Sequence, residues 1–238
     1  MKKKLRILIT GASRGIGFAV AKRITKYAET LIITAKQKSS LIKCETIIRE
    51  TYKGNLYKYA IDHSSGERAA HELASWIKQT ISSIDIIVLC AGNYFEGDLC
   101  TIDPNEFENT LQTNFLFNYY FIRNIVDIIR PNIYPRIIII GSTAAYSAYS
   151  VPTYGVAKWA LRGLAVNLRK ELMKNHIGVT FISPGPVLTD MWADVEVPKG
   201  RILEPDDIAK VICNTLELSA QAVVEELIIQ PMEGDYDE

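Results

Sequence analysis

Short, almost continuously apolar runs alternate along this chain with longer stretches of helical periodicity. The runs are LRILIT (5–10), TLIIT (30–34), NLYKYAI (55–61), IDIIVLC (84–90), RIIIIG (136–141), GVTFIS (178–183) and VEELIIQ (224–230). Several are nearly pure Ile, Val and Leu, the composition that parallel strands covered on both faces require. Between them the pattern predicts helices over about 15–28, 39–52, 65–82, 104–130, 152–175 and 205–217. Asp103-Pro104 and Glu204-Pro205 mark two helix starts, where the missing proline N–H costs little. Strand and helix alternate from end to end, so the pattern predicts an α/β fold: a Rossmann-type, doubly wound, seven-stranded parallel sheet with helices on both faces. No linker, low-complexity stretch or internal repeat divides the chain, and residues 1–238 read as one domain.

Composition narrows the partners. With 238 residues, 48% of them hydrophobic, the chain can bury a substantial single core. Lys+Arg and Asp+Glu both total 27, which argues against nucleic acid or an anionic membrane as partner. The start, MKKKLR, is basic, but the ILIT that follows is too short for a signal peptide or a membrane span. Cys44, Cys90, Cys100 and Cys213 show no C-x-x-C spacing or disulfide rhythm, which suits reduced thiols in the cytoplasm. His63, His71 and His176 have no metal-ligand spacing, and no metal site is expected.

The first strand runs straight into TGASRGIG, residues 10–17. Gly11, Gly15 and Gly17 fall at a strand-to-helix turn, where a missing Cβ lets the backbone bend tightly and approach a pyrophosphate. The helix that follows presents unpaired N–H groups and a positive dipole end to those phosphates. The second strand ends LIITAKQKSS, with Lys36 and Lys38 and no neighbouring acid in the sequence. An acid there suits a free ribose 2′-hydroxyl, and a cation suits a 2′-phosphate. Lys36, with Arg14 from the glycine turn, therefore favours NADP(H) over NAD(H). Asp62, just past the third strand, is placed either to meet an adenine edge or to cap the next helix. In YGVAK (154–158), Tyr154 and Lys158 stand one helical turn apart on a common face.

Taken in order, TGASRGIG, CAGN (90–93), Asn114, Ser142, YGVAK and SPGPVLTD (183–190) resemble the short-chain dehydrogenase/reductase family, in its NADP-preferring branch, over essentially the whole chain. The resemblance implies a sheet order of 3-2-1-4-5-6-7 and a catalytic set of Asn114, Ser142, Tyr154 and Lys158. Tyr154 is implied as general acid or base, Ser142 as the donor to the substrate oxygen, and Asn114 as holder of a relay water. Lys158 is implied to bind the nicotinamide ribose and, as a nearby cation, to lower the phenol pKa from about 10. The cofactor set implied is Gly11, Ser13, Arg14, Gly15, Ile16, Gly17, Lys36, Asp62, Ala91, Gly92, Tyr154, Lys158, Pro184, Gly185, Val187 and Thr189. One departure stands out: Leu89 and Cys90 precede Ala91-Gly92 where the family commonly has two asparagines, one of which ties the central sheet together. A thiol is a poor replacement.

Tyr94 with Phe95, Tyr146, Tyr149, Met191 and Trp192 fall on loops expected to line the substrate side, which suggests a hydrophobic or planar carbonyl compound. The apolar excess of NFLFNYYFI (114–122) and VAKWALRGLAV (156–166), with the family habit, implies a homodimer or homotetramer. The leading functional expectation is NADPH-dependent reduction of an aldehyde, ketone or 3-oxoacyl carbonyl to an alcohol. A non-catalytic NADP-binding regulator on the same fold is the alternative, disfavoured because a pure binder has no need of Asn114, Ser142, Tyr154 and Lys158 together. A sugar-nucleotide epimerase ranks third, for want of a larger C-terminal substrate region.

Overall fold

The computed structural model describes residues 4–129, 135–192 and 195–236, with only the backbone of Met191. Seven strands form one sheet: β1 (Leu5–Ile9), β2 (Ala28–Ala35), β3 (Asn55–Ala60), β4 (Ile86–Leu89), β5 (Arg136–Ile140), β6 (Gly178–Pro184) and β7 (Glu226–Ile229). Every pairing is parallel and the order is β3-β2-β1-β4-β5-β6-β7, as the resemblance implied. The helices are α1 (Gly15–Ile24), α2 (Lys38–Thr51), α3 (Gly66–Thr80), α4 (Pro104–Leu111), α5 (Phe117–Ile125), α6 (Pro152–Leu172) and α7 (Pro205–Glu217).

Side chains alternate across the pleat. Ile7 and Ile9 of β1, with Ile138 and Ile140 of β5, face a core shared with α1, α2 and α7. Leu8, Ile137 and Ile139 face a second core with α3, α5 and α6. Two apolar layers thus sandwich the sheet, which is why its strands carry so few polar positions.

Two helix predictions need correction. α1 ends at Ile24 rather than 28, because Ala28 already pairs with Leu5 at the start of β2. The stretch predicted as one helix from 104 to 130 is α4, then a π-helical turn (Gln112–Leu116), then α5, then a short 3₁₀ turn (Val126–Ile128); residue 130 lies outside the described residues. Both proline starts are capped. The Asp103 side chain accepts from the Asn105 N–H, and Glu204 and Asp207 form a reciprocal capping box at α7. Among the described residues no helix is long and apolar enough to cross a membrane, and no cluster of His, Cys, Asp and Glu is arranged to hold a metal.

Candidate active site

The carboxyl ends of β1, β4, β5 and β6 meet at one edge of the sheet, the edge at which open parallel sheets bind ligands. Thr10 leaves β1 fully buried, and its hydroxyl accepts from the N–H of Cys90 (3.1 Å) and of Ala91 (3.2 Å). This bond pair joins the β1 and β4 turns through the backbone of residues 90 and 91, independently of the Cys90 side chain. Gly11 follows at φ +67, and a Cβ there would lie 2.8 Å from the Ala91 backbone. The turn is therefore closed to larger residues. α1 then begins with no side-chain cap and no acid in its first turn. Its first N–H groups, on Gly15, Ile16 and Gly17, are free of side-chain acceptors and fit an anionic phosphate. Ser13 sits in the same turn, its carbonyl accepting from Cys44 Sγ at 3.1 Å.

The two cations expected to favour NADP(H) meet acids that lie far away in the sequence. Lys36 Nζ pairs with Asp62 Oδ2 at 2.8 Å, and Arg14 Nη1 with Asp190 Oδ2 at 2.9 Å. All four side chains are well exposed, so these pairs are worth at most about 1 kcal/mol each and yield readily to a phosphate dianion. Asp62 also caps the 3₁₀ turn His63–Ser65 through the Ser64 N–H. Burial pulls its carboxyl up, but the bonds from Lys36 and Ser64 outweigh that and hold it below its ordinary value.

Ser142 follows β5, and Tyr154 and Lys158 occupy successive turns of α6, as their spacing predicted. The Ser142 hydroxyl accepts from the Ala144 N–H at 3.2 Å and stands near enough to Tyr154 to favour its ionised form. Lys158, 5% exposed, donates to the Ile140 carbonyl at 3.3 Å and holds its ammonium 5.2 Å from the centre of the Tyr154 ring. The expected lowering of the phenol pKa is not what the protein groups produce. Loss of water pushes Tyr154 up to about 12, against the pull of Ser142, and the Cys90 thiol adds to the rise. Burial likewise brings Lys158 down to about 8. With its ammonium against the ring and tied to Ile140, Lys158 does not offset the loss of water around a phenolate. Cys90, packed near both, is pushed up to about 12 by burial and is a neutral thiol.

Asn114 lies in the π turn, fully buried. Its amide donates to the Asn93 side-chain oxygen (2.6 Å) and carbonyl (3.1 Å) and to the Thr110 carbonyl (3.0 Å), while Oδ1 is buried without a partner. That oxygen faces Gly92: a Cβ on Gly92 would come within 2.8 Å of it and 3.8 Å of Lys158 Nζ. Gly92, Asn114 and Lys158 are therefore neighbours in space. Asn93, the last residue of CAGN, and Asn118 complete this network. Asn93 also donates to Asn109 (2.9 Å) and Thr113 (3.2 Å), and Asn118 donates to the Asn114 carbonyl at 2.9 Å. The asparagine after Ala91-Gly92 in CAGN was the available clue to the first; nothing in the pattern marked the second.

From Pro184 at the end of β6, the backbone of Gly185, Val187 and Thr189 forms a loop held by its neighbours. Gly185 N–H donates to Ile229 O (2.8 Å), Val187 bridges Leu203, and Leu188 N–H donates to Leu203 O (2.8 Å). A Cβ on Gly15 would lie 3.0 Å from the Thr189 methyl, so this loop and the glycine turn face each other. Of the expected substrate-side aromatics, Tyr94 and Tyr149 meet the Tyr154 ring at 5.5 and 6.0 Å. Trp192 closes the short turn Asp190–Trp192, and the Met191 side chain lies outside the described residues. Tyr146 is placed elsewhere. It sits under the guanidinium of Arg162 of α6 at 4.2 Å, which in turn pairs with Glu226 of β7, and it accepts a long bond from Ser183 of β6 (3.5 Å).

Residues 5–199 match the family described as short chain dehydrogenase. The chain belongs to that family. Among similar proteins, the sepiapterin reductase of Chlorobaculum tepidum is 27% identical over 96% of this chain and 97% of its own. The 3-oxoacyl-(acyl-carrier-protein) reductase of Haemophilus influenzae is 29% identical over 86% and 87%. A metagenomic short-chain oxidoreductase solved in complex with NADP superposes with a TM-score of 0.83 at 26% identity, covering 98% of this chain and 100% of that one. As a short-chain dehydrogenase, the chain is a nicotinamide-dependent oxidoreductase.

Proposed function

We propose that this short-chain dehydrogenase reduces a carbonyl compound to an alcohol with NADPH, Tyr154 delivering the proton to the nascent alkoxide. The observation that carries the reading is the half-buried Tyr154 with the Lys158 ammonium 5.2 Å from its ring centre and Ser142 beside it. A phenol at about 12 holds its proton at neutral pH, which is the state an acid needs in the reductive direction. Ser142 donates to the carbonyl oxygen as negative charge develops on it. Lys158, at about 8, is mostly cationic at neutral pH and favours replacement of the spent proton; Asn114 aligns the water through which that proton arrives. The bound cofactor supplies the hydride. The α1 N-terminus with Gly11, Ser13, Gly15, Ile16 and Gly17 holds its pyrophosphate, Arg14 and Lys36 its 2′-phosphate, and Asp62, Ala91 and Gly92 its adenosine side. Lys158 and the 184–189 backbone hold its nicotinamide end. The preference for NADPH is supported by Lys36 and Arg14, both within reach of a phosphate, and by the NADP complex of the 26%-identical relative.

A second copy of the chain completes the proposal. On α6, Val156, Trp159 and Val166 are 40%, 47% and 50% exposed, and Tyr119 of α5 is 39% exposed, an apolar face that suits a homodimer or homotetramer.

The test is to titrate NADPH and NADH, then follow nicotinamide absorbance with aldehydes, ketones and 3-oxoacyl thioesters. Tyr154→Phe is expected to lose at least about 10²-fold in kcat while binding NADPH as the wild type does. An active phenylalanine variant would remove Tyr154 from the mechanism, and tighter NADH than NADPH would remove Arg14 and Lys36 from cofactor choice.

A further inference from the structure

The buried face of α5 carries one residue that packing does not explain. Phe117, Phe121, Ile122 and Ile125 face the core on that helix, and Asn118 stands among them at 1% exposure. Its Nδ2 donates to the Asn114 carbonyl at 2.9 Å. A carbonyl only accepts, so the other end of the Asn118 amide is the oxygen. That oxygen is buried with no partner among the described residues. The one bond contributes about 0.5–1.5 kcal/mol, whereas a stranded buried oxygen costs about 1–3 kcal/mol. Asparagine also favours a helix less than leucine does. On stability alone, a leucine with the same branched outline would suit the position better.

Asn114, four residues earlier, repeats the arrangement. The carbonyls of Asn93 and Thr110 fix its Nδ2, and its Oδ1 is likewise buried with no partner among the described residues. The two amides follow one another along the helix, about 6 Å apart in rise. The first opens toward Lys158. Asn114 Oδ1 and Lys158 Nζ both lie within 4 Å of the point a Gly92 Cβ would occupy. Gly92 has no side chain, so that point is open to a water bonded to the amide oxygen and the ammonium together. Lys158 has two donors beyond the one it gives to Ile140. Two successive buried amides that do not serve stability stand, therefore, behind the ammonium beside Tyr154. Polar groups that cost stability gather where chemistry needs them.

We propose that Asn118 is a positioning residue of the reduction: its amide nitrogen holds the Asn114 carbonyl in place, and its oxygen accepts from the second of two waters that return a proton to Lys158. The proposal rests on the reductase reading for its kinetic readout only. Protons balance without a further reactant. The alkoxide takes the Tyr154 proton, the phenolate recovers one from Lys158, the amine recovers one from the first water, and solvent replaces that through the second. Asn118 touches no reacting group. Its loss slows the return of the proton and leaves the binding of cofactor and ketone as it was.

Wild type, Asn118→Leu and Asn118→Ser test it, with NADPH and ethyl 4-chloroacetoacetate as substrates. Leucine removes the stranded oxygen together with the donor, so its Tm is expected to equal or exceed that of wild type. Its kcat is expected to fall about tenfold, with KM and the NADPH Kd within about twofold of wild type. Its solvent deuterium isotope effect on kcat is expected to exceed the wild-type value. Serine leaves a cavity and lowers Tm, yet its hydroxyl, with a water in the freed space, restores most of kcat. Activity then runs opposite to stability across the two variants, which a structural role cannot produce. A leucine variant with wild-type kcat and isotope effect, one that does not fold, or activity that follows Tm overturns the proposal. If wild type reduces no carbonyl, the reductase reading is what fails, and a crystal structure of the NADPH complex decides the rest. Waters bonded to the Asn114 and Asn118 oxygens and to each other uphold the assignment; a dry Asn118 oxygen overturns it.

Discussion

Thr10 shows how much one hydroxyl settles at the residue scale. It takes two N–H groups from the β4 turn at the point where Gly11 brings that backbone closest. Valine has the same shape without the acceptor, and two N–H groups would be left without their partner. Each such loss costs about 1–3 kcal/mol, softened here because Cys90 and Ala91 are only half-buried. Thr10→Val is therefore expected to lower Tm by about 4–8 °C, and Thr10→Ser to restore most of it; thermal melts of the two variants check this. The departure at Leu89-Cys90 is legible in the sequence, but the tie from Thr10 to the β4 turn is not, because pattern reading pairs residues along the chain and not across a sheet. The protonation of Tyr154 was hidden for a related reason. Its spacing from Lys158 is legible, but the water that burial strips from both is a property of the packed molecule.

At the scale of elements, strands and helix starts were legible wherever a single physical demand wrote the sequence: two-sided burial in β1 and β5, a proline and a cap at α4 and α7. The π turn at 112–116 was not, since the apolar period of LQTNFLFN runs through it almost unbroken. One extra residue per turn shifts α5 against α4, and such turns gather at functional sites. Asn93 pins this one, joining the β4 loop to Asn109 of α4 and to Thr113 and Asn114 in the turn. Asn93→Ala is expected to lower kcat/KM by more than about tenfold as Asn114 loses its anchor, with a stability loss of about 1–3 kcal/mol. Initial rates and denaturant melts on one preparation measure both. The tail from 233 to 236 escaped the sequence reading as well. It has no apolar period, and Arg201, more than thirty residues earlier, holds it through the Gly234 and Asp235 carbonyls.

The whole molecule carries an acid-sensitive group away from the catalytic residues. His63 is buried edge-on against Phe117 at 4.3 Å, its Nε2 has no partner, and burial brings it from 6.5 down to about 4, against the pull of Asp62. The folded state therefore binds this proton less well than the unfolded chain. The stability that comes from keeping His63 neutral is fully present above pH 6.5 and is lost as the pH falls toward 4, by up to about 3 kcal/mol. Denaturant melts between pH 4 and 7 are expected to show that slope in wild type and a shallower one in His63→Gln. The sheet order has a different kind of consequence. Every strand pairs with its neighbour in sequence except at one seam, where β1 meets β4 through Ile7↔Ile86, Leu8↔Ile87 and Ile9↔Val88. A nick near Ser82 would leave two fragments, each holding its own contiguous sub-sheet. The glycine turn would stay on one and Ser142, Tyr154 and Lys158 on the other. Neither fragment alone has a complete site. A dinucleotide lying across the seam would then join the two fragments, and regain of activity on mixing would report their reassembly along β1 and β4.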